Sequence, residues 1–77
     1  MKKTLLYIIS SIVKEGDKVE IEEKEQDGII DFDVKVPKED MGKVIGKNGK
    51  VIRAIRNVIK IKAIKENKKI NINLLET

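Results

Sequence analysis

The chain has 77 residues with no cysteine and no histidine. That leaves one small domain, residues 1–77, and removes disulfide scaffolds, zinc clusters, thiol nucleophiles and the usual neutral-pH base. Its net charge of +4 is unevenly spread: +1 over residues 1–17, −4 over 18–36 and +7 over 37–77. Between Met41 and Lys65 there are eight Lys or Arg and no acid, which is the footprint of a phosphate-facing surface or, more plainly, of a solvated helix face.

The opening "MKKTLLYIISSIV" places two lysines before an apolar run, as a signal peptide does. Ser10 and Ser11 interrupt that run, and "KEGDKVEIEE" offers no small-residue cleavage site, so an ordinary amphipathic helix is expected. Nothing approaches the roughly 18 apolar residues of a bilayer span, so no membrane insertion and a cytoplasmic setting are expected. Leu5, Ile8, Ile9 and Ile12 follow helical spacing within Lys3 to Lys14, with Gly16 as the expected stop. "KVEIEEKE" and "IIDFDVKV" then read as antiparallel strands joined at the Asp-Gly of "QDG", a pair suited to a tight hairpin. Pro37 closes the second strand, and "KEDMGKVI", with acids in its first turn, predicts a short helix ending at Ile45.

A longer helix starts at Lys50. Val51, Ile52, Ile55, Val58 and Ile59 fall within an arc of about 120° and are the expected core stripe, while Lys50, Arg53, Asn57 and Lys60 share another side. "ENKK" breaks the pattern near Asn67, and "ININ" alternates as a closing strand. The predicted class is α+β with the order α-β-β-α-α-β.

Gly46 and Gly49 enclose Lys47 and Asn48 between the last two helices. Such a bend brings the unpaired N–H groups at the start of the second helix toward the loop. Glycine at both ends allows positive φ and lets a sugar-phosphate backbone lie against the main chain, with Lys47 and Lys50 supplying charge. Val44 and Ile45 are the expected apolar floor for unstacked bases. A P-loop would need G-x-x-x-x-G-K-[ST], which is absent, and a lone G-x-x-G is more often a structural turn.

"VIGKNGKVI", set between two helices after one strand and before another, resembles the signature of the KH domain, whose G-x-x-G loop clamps single-stranded RNA. The element order resembles the type II, prokaryotic arrangement, and "PKEDMGKVIGKNGKVIRAIR" is similar to small stand-alone bacterial KH proteins. The resemblance covers nearly the whole chain and implies a three-stranded mixed sheet covered on one face by three helices. It implies RNA contacts at Lys43, Val44, Ile45, Gly46, Lys47, Asn48, Gly49, Lys50 and Arg53, with no cofactor. It further implies a post-transcriptional regulator or RNA chaperone linked to cell elongation and division.

Other readings carry less. A helix-turn-helix would send Lys50, Arg53, Asn57 and Lys60 into a DNA major groove, but it needs neither glycine and gives the sheet no role. A protein-interaction module with secondary RNA binding is the third reading. Asp31 and Asp33 alternate on an exposed strand face as solvated carboxylates do, so no enzyme activity is expected. Tyr7 and Phe32, the two aromatics, both fall near core positions, leaving no stacking platform. Ala54, Ile61 and Ile64 lie roughly 120° or more from the centre of the core arc and are the expected dimer interface. The resemblance also implies pairing, with a second copy or with a second KH-containing protein.

Overall fold

The computed structural model describes residues 1–76, in which the chain forms α1 (Lys2–Ile12), β1 (Glu20–Gln26), β2 (Ile29–Val36), α2 (Lys38–Ile45), α3 (Lys50–Lys65) and β3 (Lys69–Glu76). A single 3-10 turn lies at Gly16–Lys18, and a tight, non-helical turn lies at Lys47–Gly49. The order is the expected α-β-β-α-α-β. β2 is the central strand, antiparallel to β1 and parallel to β3, so the sheet is mixed. A parallel partner requires a crossover, and α2 with α3 supplies it.

The hairpin turns at Asp27 and Gly28, both at positive φ (53° and 76°), as the Asp-Gly pair predicted. Along β2, Ile30, Phe32, Val34 and Val36 are buried while the residues between them reach solvent. This strict alternation gives the sheet one covered face. Leu5 and Ile9 of α1, Val44 of α2, and Ile52, Ile55 and Ile59 of α3 complete the core over it. Asp40 is the one buried charged residue among those described. Its Oδ1 accepts the Lys14 N–H at 3.3 Å, tying the segment after α1 to the first turn of α2.

Three expectations are corrected. α1 stops at Ile12 because Val13 turns extended (φ −88°, ψ 158°) and drops its side chain into the core. Gly16 serves a close approach instead, since a Cβ there would sit 3.0 Å from the Ser10 carbonyl oxygen. The buried stripe of α3 runs through Ile52, Ile55, Ile59 and Ala63, whereas Val51 is half-buried and Val58 is exposed. The helix is rotated toward β3, leaving the Val58 flank uncovered. Tyr7 lies on the solvent side of α1 and is 76% exposed, because Leu5 and Ile9 take the core-facing positions.

α3 ends in a Schellman motif. Asn67 takes the left-handed conformation (φ 58°), its N–H donates to the Ile64 carbonyl at 3.0 Å, and the Lys68 N–H donates to the Ala63 carbonyl at 2.9 Å. This stop turns the chain directly into β3.

Burial therefore separates isoleucines five residues apart on one helix. Ile59→Ala is expected to cost about 2–5 kcal/mol by leaving a cavity, against less than about 0.5 kcal/mol for the exposed Ile64→Ala. Denaturant titration of both variants checks this.

Candidate nucleic-acid interface

α2 closes with the Gly46 N–H donating to the Gly42 carbonyl at 2.8 Å, and the chain then reverses through Lys47–Gly49 into α3. The two loop glycines serve different needs. Gly46 has φ 74° and ψ 174°, a conformation essentially reserved for glycine, and a Cβ there would overlap the Val51 Cγ2 and lie 2.8 Å from the Val51 Cβ. Its bare α carbon lets α3 start directly against the loop. Gly49 is left-handed (φ 74°, ψ 17°), and a Cβ there would meet only the Arg53 Nε, at 4.0 Å. Asn48 is also left-handed (φ 57°, ψ 26°), which asparagine tolerates better than most residues.

Within the loop the Gly49 N–H donates to the Gly46 carbonyl at 3.1 Å, and the Lys50 N–H donates to Lys47. The N–H groups of Lys47 and Asn48 have no main-chain acceptor among the described residues. Lys47, Asn48 and Lys50 are exposed around them. Free amides, flanking ammonium groups and a bare glycine face make a site that can receive an anionic backbone.

The other expected residues divide. Lys43 is exposed on the last turn of α2, with its Nζ 4.0 Å from the Asp40 carboxylate. Ile45 is 37% exposed, but Val44 has no accessible surface and belongs to the core, so of that pair Ile45 alone offers an apolar surface. Arg53 is exposed yet already engaged: its Nη2 donates to the Asn48 carbonyl at 2.6 Å and its Nε to the Gly49 carbonyl at 3.2 Å.

On one flank of α3, Arg56, Lys60 and Ile64 face Lys68, Lys69 and Ile70 across a depression of about 430 Å³. Helical spacing places Arg56 and Lys60 near Arg53, but their meeting with the start of β3 depends on the crossover and was not legible in the sequence. Lys68 donates to Glu25 at 3.0 Å, and this hydrogen bond holds its pKa above the ordinary lysine value. On the opposite flank, Ile8 and Ile12 of α1 with Val51, Ala54, Ile55 and Val58 of α3 line a shallow apolar groove of about 380 Å³. Ala54 lines this groove, Ile61 (58% exposed) lies one turn beyond it, and Ile64 lies on the basic flank. The expected trio is thus split between two surfaces, with Val58 the missed member of the apolar one.

Asp31 and Asp33 accept hydrogen bonds from Asn71 (2.9 Å) and Asn73 (3.0 Å), their register partners on β3. The carboxylates thus decorate the open face of the sheet. No His, Cys, Asp or Glu cluster able to hold a metal occurs among the described residues.

Residues 2–74 match the family model described as KhpA/KhpB, KH domain. The chain is 44% identical over 75 residues to the RNA-binding protein KhpA of Clostridium acetobutylicum, covering 97% of this chain and 100% of that protein. It is 36% identical over 76 residues to the RNA-binding protein KhpA of Listeria monocytogenes, covering 99% of this chain and 100% of that protein. To the RNA-binding protein KhpA of Chlamydia trachomatis it is 34% identical over 76 residues, covering 99% of this chain and 97% of that protein. With the mixed sheet, the paired-glycine turn and relatives matched over nearly their full length, this chain belongs to the KhpA/KhpB family of KH domains.

Proposed function

We propose that this chain binds single-stranded RNA, with the backbone of about four unpaired nucleotides held at Gly46–Gly49. The observation that carries the reading is the loop itself: two positive-φ glycines, unpaired amides at Lys47 and Asn48, and a surrounding run free of acids from Met41 to Lys65. Phosphates meet these amides together with Lys47 and Lys50. Bases rest on Ile45 and continue along the flank of Arg56, Lys60 and Ile70, where cationic heads border apolar side chains. Lys43 adds charge at the edge of the site.

Such a site is small and lacks an aromatic platform, since Phe32 is buried and Tyr7 projects from the far side of α1. A single domain therefore binds weakly and with little base discrimination, and a second site in the same assembly raises the effective affinity. The chain pairs through Ala54, Val58 and Ile61 beside the α1–α3 groove, with a second copy or with another KH-containing protein. One helix serves both tasks, because its apolar flank points away from Arg56 and Lys60. The name shared by the relatives supports the RNA reading. No described helix is long and apolar enough to cross a membrane. The reading sets the chain in the cytoplasm, acting on transcripts as a regulator or RNA chaperone linked to cell elongation and division. The helix-turn-helix alternative is disfavoured because Arg53, which would have to read base edges, is folded back on the loop.

Lys47→Asp combined with Asn48→Asp puts two anions at the phosphate position while leaving both glycines in place. RNA binding is expected to fall below detection with an unchanged unfolding midpoint, and fluorescence anisotropy with thermal melts checks both. Unchanged affinity removes the clamp.

Competition with strands of equal length and charge tests the polymer. Single-stranded RNA is expected to displace a bound probe better than duplex DNA, with affinity falling as salt rises. Preference for the duplex overturns the reading.

Pairing predicts that Ile61→Asp yields a folded monomer by sedimentation, with RNA binding weakened but retained. A wild-type chain that is monomeric at high micromolar concentration excludes the homodimer and leaves a second KH-containing protein as the partner.

A further inference from the structure

Arg53 stands fourth in α3, and helical side chains lean toward the helix N-terminus, so its guanidinium lies back over the loop. There it spans two consecutive carbonyls, those of Asn48 (2.6 Å to Nη2) and Gly49 (3.2 Å to Nε). These are the two left-handed residues of the loop. Glycine loses more backbone entropy on being ordered than any other residue. Besides the turn's own bonds from the Gly49 and Lys50 N–H groups, the Arg53 bonds are the side-chain hydrogen bonds that hold this loop among the described residues. The planar fork of arginine meets two acceptors in one fixed arrangement, which the single ammonium of lysine does not reproduce.

We infer that Arg53 is a positioning residue, which braces the loop in its binding arrangement before RNA arrives, and is not itself a phosphate ligand. This rests on the clamp reading. The guanidinium holds the Asn48–Gly49 and Gly49–Lys50 peptides, which adjoin the two peptides that carry the free amides of Lys47 and Asn48. The carbonyls of those two accept from the Gly49 and Lys50 N–H groups, so the whole turn is tied at both halves. Binding then orders RNA alone, and the loop contributes no further entropy loss.

The deciding variant is Arg53→Lys, which keeps the charge and removes the fork. A phosphate contact would survive, because lysine is itself a good phosphate ligand. A brace would not: if the unbraced loop holds its competent arrangement about one time in ten, affinity falls about tenfold. The slope of log affinity against log salt is expected to stay as in the wild type, since no phosphate contact is lost. In the RNA-free protein, the amide signals of residues 47–50 are expected to shift or broaden, with the unfolding midpoint unchanged. Wild-type affinity for Arg53→Lys overturns the inference, as does lost affinity with unperturbed loop amides. The loop variant carrying Lys47→Asp and Asn48→Asp keeps the two ideas apart: if it binds RNA as the wild type does, the clamp reading itself fails, whatever Arg53→Lys does.

Discussion

The α carbon of Gly46 lies against the first turn of α3 so closely that a β carbon would overlap the Val51 side chain and approach its main-chain nitrogen to 2.9 Å. This contact sets the angle at which α2 gives way to α3. With the bend in place, Val44 of α2 and Ile52, Ile55 and Ile59 of α3 reach the same core, while Lys47 and Asn48 remain outside it. A side chain at Gly46 would meet both a steric clash and a backbone conformation that costs other residues about 1–3 kcal/mol. Packing and site geometry are therefore one constraint. Docking of the two helices fixes the ends of the loop, and Arg53 spans its middle.

α3 carries three surfaces on sixteen residues. One faces the sheet, one continues the apolar groove shared with α1, and one carries Arg56 and Lys60 toward the start of β3. A period of 3.6 residues makes this division possible, because successive positions step around the axis and each face receives a residue every turn. Crowding one helix in this way has a consequence for stability. Few residues are left to any single role, and a domain of this size has little margin to spare.

Charge is segregated along the same lines. The acids of residues 18–36 sit on the β1–β2 hairpin, and two of them are held by asparagines across the open sheet face. The cations gather on the loop and on α3. The resulting field is directional, so that a polyanion is drawn to the helical side and turned away from the hairpin. The Lys68–Glu25 hydrogen bond joins the basic side to the acidic one across the end of the sheet, while the start of β3 is held by the Lys69 N–H donating to the Gly28 carbonyl at 2.9 Å.

Local chemistry was enough to place the elements. Alternation in "IIDFDVKV", the Asp-Gly turn, Pro37 before α2 and Asn67 after α3 each act over a few residues, and each acts in the structure as its residue type predicts. The loop was legible for the same reason, since paired glycines around a cation state a backbone requirement directly. What the sequence could not determine was which flank of a helix its neighbours would cover. α1 leaves Val58 bare and Tyr7 in solvent, and the rotation of α3 toward β3 buries Ala63 while placing Ile64 beside Ile70. Nor could spacing tell that Arg53 turns back onto the loop instead of outward. Periodicity fixes angles about a single axis, but burial depends on where other axes lie, and those positions are set only when the whole core closes.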